Sequence, residues 1–241
     1  MTLAIKKKSS KAITALLDYG VDVDHCNDRK ESLMHLACAA GSMDIVKLLI
    51  NVLKNYARLF PMRRYPRTFF IQAGGSIKQR ERFGHPPLMF AIKRRSPEHF
   101  DIAEYLVRRR GADVSTASMY GYTPLIIAAM HGNTKAVKML LEEGADAFAK
   151  DSTDMTSLHW AARHDYPEII KLLLTEQPSE QLTDQLLHEP DRYHVTALHA
   201  AAEKGHARSA QEMLSWRANV HCRDDNEMTP LHLAAQSGRV E

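Results

Sequence analysis

The tetrapeptide Thr-Pro-Leu-His at 229–232 returns as TALH at 196–199, TSLH at 156–159, TPLI at 123–126 and PPLM at 86–89, with SLMH at 32–35 as a more divergent copy. The first residues 123 and 156 are 33 apart, and so are 196 and 229. The other intervals are 37 (86 to 123), 40 (156 to 196) and 54 (32 to 86), each a 33-residue unit with an insertion. A repeat of this period constrains the fold more than any other feature. One unit of that length cannot bury its own apolar faces, so the chain must stack neighbouring units into a row.

Each copy continues alike. Paired alanines follow the tetrapeptide at 128–129, 161–162, 201–202 and 234–235. A turn glycine comes next, at Gly41, Gly132, Gly205 or Gly238, and then an apolar run such as AVKMLLEEGAD (136–146) or EIIKLLL (168–174). Threonine can cap the first turn of a helix, and proline loses nothing at the following position. Alanine pairs allow close approach of a neighbouring helix, and glycine supplies the left-handed residue that ends the first helix. The leucine-rich run then predicts a second, antiparallel helix.

These residues resemble the ankyrin repeat, and the resemblance covers nearly the whole chain. It implies an all-α solenoid of helix–turn–helix units joined by finger-like hairpins. Phasing Gly20 against Gly144 puts Met1 inside a repeat. The expected organisation is one array: a partial first repeat (1–31), repeat two (32–53), a basic insertion (54–83), repeat three (84–119), repeat four (120–152), repeat five with an insertion (153–192), repeat six (193–225) and a truncated seventh (226–241). The reading is therefore of a fragment of a longer protein, whose last residues fray.

The net charge of +3 conceals an asymmetry: residues 51–110 hold fourteen Lys/Arg against four Asp/Glu. The basic insertion mixes cations with Tyr56, Phe60, Tyr65, Phe69 and Phe70. Arg63, Arg64, Arg67, Lys78, Arg80 and Arg82 form a candidate patch for a phosphate-rich ligand, either nucleic acid or an anionic membrane. A solvated loop and a nuclear-import signal are the competing readings of the same residues. The second insertion, about 175–192, is acidic and polar and is expected to lengthen the second helix of its repeat or the following finger.

Catalytic and metal-binding classes find no support in the pattern. His159, His199 and His232, with His35, recur once per unit and lie about one repeat step apart, too far to converge on one ion. The resemblance implies that they hydrogen-bond neighbouring backbone. Cys26, Cys38 and Cys222 lack metal-ligand spacing and are read as reduced thiols, as in the cytoplasm or nucleus. No phosphate loop, nucleophile elbow or Ser/His/Asp set is present, so the chain is read as non-catalytic, with no cofactor and no small-molecule ligand. Asp151, Asp154 and Asp165 are read as finger and turn residues.

Ankyrin arrays bind protein partners with finger tips and the exposed side of their first helices. The positions here that can vary without harming the stack are Tyr120, Tyr122, Met155, Tyr193, Val195 and Met228 before the tetrapeptides, and Met130, His131, Trp160, Arg163 and His164 along the first helices. Tyr, Trp, Met and Arg are enriched at binding hot spots. Repeats four to six are therefore the expected partner groove, with Trp160 and Tyr122 as anchors; packing between fingers is the alternative use of these side chains. HFDIAEYLVRRRGADV followed by GYTPLIIAA, and LLHEPDRYHVTALHAAAEKGH, also resemble repeats of the ankyrin-type transient receptor potential cation channels. That likeness implies a cytosolic domain tied to a membrane only through a segment beyond this chain.

Overall fold

The computed structural model describes residues 2–18, 26–59 and 77–239, with side chains described except at 17–18 and 53–59. The chain divides into two compact units, Met1–Met119 and Tyr120–Glu241. Each is a row of antiparallel helix pairs.

In the first unit the pairs are α1 (Thr2–Lys6) with α2 (Ser10–Asp18), α3 (Leu33–Ala40) with α4 (Met43–Leu59), and α5 (Pro87–Ile92) with α6 (Pro97–Glu104). First helices stack on first helices, α1 on α3 and α3 on α5, while α2 and α6 flank α4. In the second unit α7 (Pro124–Met130) pairs with α8 (Thr134–Glu142), and α9 (Ser157–Arg163) with α10 (Pro167–Thr175). An additional helix, α11 (Glu180–His188), follows, and then α12 (Ala197–Lys204), α13 (Ala207–Ser215) and α14 (Pro230–Gln236). Helices α7, α9, α12 and α14 stack in order, and α8, α10 and α13 form the second layer.

The tetrapeptide leucine explains the stacking. Leu88, Leu125, Leu158 and Leu198 are buried on the first helices of their repeats, as is Met34. Burying such a side chain contributes about 1.5–3 kcal/mol. Leu231, at the same position of α14, is 77 % exposed.

The three irregular intervals are absorbed in three ways. The four extra residues of the third repeat lengthen its second helix, where α6 runs on through a π-turn at Tyr105–Arg109. A π-turn is the usual way for an α-helix to accommodate an inserted residue. Contrary to the expectation from sequence, the seven extra residues of the fifth repeat lengthen neither α10 nor the finger. They build the separate helix α11, capped by the Ser179 hydroxyl accepting from the Leu182 amide and anchored by buried Leu186 and Leu187. The basic insertion begins as a continuation of α4 to Leu59, so the second helix of that repeat is longer than the expected boundary at 53. Arg63, Arg64 and Arg67 lie outside the described residues, as do residues 19–25 and 240–241.

Between helix pairs the chain makes a five-residue finger with one recurring geometry. A carboxylate or amide five residues before the tetrapeptide accepts two backbone N–H groups. Asp191 Oδ1 takes those of Tyr193 (2.8 Å) and Val195 (2.9 Å), and Asp224 Oδ1 those of Asn226 and Met228 (both 2.9 Å). Asp151, Asn27 and Glu81 do the same in their fingers. Successive fingers are then joined edge to edge by single backbone bonds. In the first unit the Arg82 amide donates to Arg29 O and that of Met119 to Phe83 O; in the second, Ser152 donates to Tyr120 O and Asp225 to Tyr193 O.

Candidate protein-binding face

The repeated histidine is a structural tie. Nδ1 of His159 accepts from the Thr156 amide (3.2 Å) and faces the Thr156 hydroxyl, and Nε2–H donates to Val195 O of the next finger (3.0 Å). His35 bonds Ser32 and His85 O in the same way, and His199 bonds Thr196 and Met228 O. Each ring is neutral, because the Nδ1 that accepts an amide N–H cannot carry a proton. Burial pushes the pKa of all three below the ordinary histidine value, against the smaller opposing effect of the accepted carbonyls. Among the described residues no group of three or more His, Cys, Asp or Glu is placed to hold a metal ion. Cys38 is buried, with its thiol pKa held well above the usual range by burial. Cys26 and Cys222 are half-buried, Cys26 Sγ accepting from Gln79 Nε2 (3.3 Å) and the Cys222 thiol donating to Asn219 O (2.9 Å).

The anchors expected from sequence come together in the second unit. Tyr120 contacts Tyr122 (ring centroids 6.2 Å apart), and Tyr122 meets Trp160 edge-on at 5.9 Å. Trp160 in turn stacks on His164 at 5.9 Å with 13° between the planes, and His164 on Tyr166 at 6.2 Å. Five rings thus form one row from a finger tip, along α9, to the turn that starts α10. The Trp160 indole N–H donates to Asp151 Oδ2 (2.8 Å), the carboxylate that also shapes its own finger. That bond fixes the half-buried indole within the row. Burial lowers the His164 pKa, helped by Arg163, His131 and His206, and burial with the charge of Asp151 raises that of Tyr122. Tyr166 was not singled out from sequence. Its position aligns with Asn133, whose side chain caps α8, and that phasing disguises it as a capping position.

The other expected residues divide. Arg163 is exposed beside the row, and Met130 and His131 are half-buried one repeat earlier, His131 Nδ1–H donating to Ile127 O (2.9 Å). Tyr193 is exposed at the finger tip two repeats on from Tyr120. Met155 is corrected: it is buried at 8 % exposure, with its amide and carbonyl both bonded to Asp151, so it packs the finger and offers no surface. Val195 and Met228 are half-buried and act through their carbonyls as the acceptors for His159 and His199.

Of the candidate anionic-ligand patch, Lys78, Arg80 and Arg82 are described. Lys78 is exposed and lies within electrostatic reach of Asp113, and Arg80 Nη1 donates to Ala117 O (2.9 Å). Arg82 is exposed in the third finger. No helix among the described residues is long and apolar enough to cross a membrane.

Stacked helix pairs, edge-bonded fingers and an aromatic row across a finger and a first helix define a repeat solenoid of the interaction-module class. The chain belongs to the ankyrin-repeat family: the family described as "Ankyrin repeats (3 copies)" matches residues 1–118, 88–184 and 178–241. Among curated proteins it is similar to human transient receptor potential cation channel subfamily A member 1 (30 % identity over 59 % of this chain). It is also similar to mouse inversin (32 % over 68 %) and to the Drosophila channel of the same subfamily (28 % over 85 %). The matched region spans only 12–16 % of those relatives' own lengths.

Proposed function

We propose that the second unit captures a protein partner on the row Tyr120–Tyr122–Trp160–His164–Tyr166. The observation that carries the reading is the continuity of five rings on fixed backbone, with the indole N–H already satisfied. Rigid aromatic anchors give large contact area at low entropic cost, as hot spots do. Arg163 supplies the flanking charge. A random linear peptide library displayed on phage and panned on the full chain provides the probe. Selected peptides are expected to lose at least tenfold in affinity against a Tyr122→Ala/Trp160→Ala/Arg163→Ala variant that retains its helical circular dichroism. Unchanged affinity would remove the row from the binding site.

A second reading makes the chain part of the cytoplasmic region of a cation channel. It is favoured by the similarity to both the human and the fly channel. Reading the transcript beyond codon 241 tests it: several long apolar helices are expected, and an open reading frame without them would reject it.

A further inference from the structure

The repeat register aligns three turns of the first unit: Lys6-Lys7-Lys8, Ala39-Ala40-Gly41 and Lys93-Arg94-Arg95. Because α1, α3 and α5 stack in order, the C-terminal ends of these helices lie side by side on the edge opposite the fingers. The middle turn is small and uncharged. Its neighbours carry cations at all three positions, of which Lys6, Lys7, Lys8, Arg94 and Arg95 are exposed. Lys93 is half-buried with Nζ over the Phe90 ring. Side chains from both sides reach the central turn. Lys8 Nζ donates to Gly41 O (3.5 Å), and His99 Nε2–H donates to Ala39 O (3.1 Å) with its ring filling the space a Cβ on Gly41 would take. Two carboxylates stand nearby, Glu98, within electrostatic reach of Lys8, and Asp44 at the start of α4. The charge is segregated in the chain as well: residues 1–119 hold 21 Lys/Arg against 11 Asp/Glu, and residues 120–241 hold 11 against 18.

We propose that this turn edge binds the anionic surface of a lipid bilayer. The cations stand in two clusters on separate turns, and five of the six side chains are exposed. A planar array of laterally mobile headgroups meets both clusters at once, whereas one compact phosphate reaches a single cluster. Attraction to an anionic surface accumulates per cation and falls with salt. This surface lies on the first and third repeats, apart in sequence from the basic insertion.

The test is co-sedimentation of the full chain with phosphatidylcholine vesicles, with and without phosphatidylserine, over a range of salt. Binding is expected only with phosphatidylserine. A Lys7→Gln/Lys8→Asn/Arg94→Gln/Arg95→Gln variant is expected to bind at least a hundredfold more weakly, on the order of fivefold per cation; asparagine suits the positive φ of 52° at Lys8. An Arg63→Gln/Arg64→Gln/Arg67→Gln variant is expected to bind within twofold of the parent. Should the quadruple variant unfold, Lys7→Gln and Arg94→Gln alone are each expected to cost about fivefold. Undiminished binding by the folded turn variants, or a loss that follows the insertion variant instead, overturns the assignment. So does tighter binding of soluble polyglutamate than of vesicles at equal charge, which would give the edge to an acidic polypeptide.

Discussion

His35, His159 and His199 each hold one repeat to the next finger through a neutral imidazole. Burial keeps them unprotonated in the folded chain, while the unfolded chain takes up a proton near pH 6.5. Below that pH the unfolded state binds more protons, so stability rises with pH through this range. The contribution is complete above about pH 6.5 and is lost as pH falls towards the lowered folded values. Urea midpoints are therefore expected to fall between pH 7.5 and pH 5.5, and His159→Gln to flatten that dependence; a midpoint constant over the interval would refute the tie. The fingers yield a second residue-scale prediction. Two residues before the tetrapeptide the backbone is left-handed in each described finger: Gly84 and Gly121 occupy that position in two, Lys30, Asp154, His194 and Glu227 in the others. A non-glycine residue there costs about 1–2 kcal/mol, offset in part by the extra entropy glycine loses on folding. Lys30→Gly is expected to stabilise by up to about 1 kcal/mol. Gly121→Ala is expected to destabilise by about 2 kcal/mol or more, because its Cβ would meet the Asp151 backbone at 2.7 Å. Thermal melts of the two variants should shift in opposite directions.

Among the elements, α11 shows how the array accepts an insertion. Its acidic, polar sequence reads as surface from composition, yet Leu186 and Leu187 are spaced to face inward and are buried. His188 adds a further attachment, its Nε2 accepting the Asn219 amide (3.0 Å). Leu186→Ala is expected to cost about 2–5 kcal/mol, the range for a buried leucine, and would leave the finger ladder of the second unit in place. A cost below about 0.5 kcal/mol in urea unfolding would mean that α11 is a loosely held appendage. The helical repeat itself was plain in the sequence, because tetrapeptide, alanine pair and glycine fall in fixed phase. The helix α11 was not, because three leucines (Leu182, Leu186 and Leu187) in a nine-residue segment are too short a pattern to distinguish a short helix from a loop.

At the scale of the molecule, the two compact units differ in the surfaces they offer, a cationic turn edge in the first and an aromatic row in an acidic second. Mutations on the two surfaces should be independent. The Tyr122/Trp160/Arg163 variant is expected to retain vesicle binding, and the turn variant to retain peptide binding, since sites without shared partners add.

From sequence alone followed the family and the 33-residue register, because both are written as a local pattern repeated in phase. The structural role of the histidines came with the family resemblance. Of the aromatic row, Tyr120, Tyr122, Trp160 and His164 were legible as variable positions, while Tyr166 was not. Only the tertiary structure decided which of those residues remain on the surface. Met155 and Trp160 both belong to the fifth repeat, yet finger packing buries the first while the Asp151 carboxylate fixes the second. The cationic turn edge likewise exists only once α1, α3 and α5 stack, since Lys6–Lys8 and Arg94–Arg95 are some 90 residues apart in the chain. Periodicity specifies which positions are equivalent; stacking specifies which of them become neighbours and which remain in contact with water.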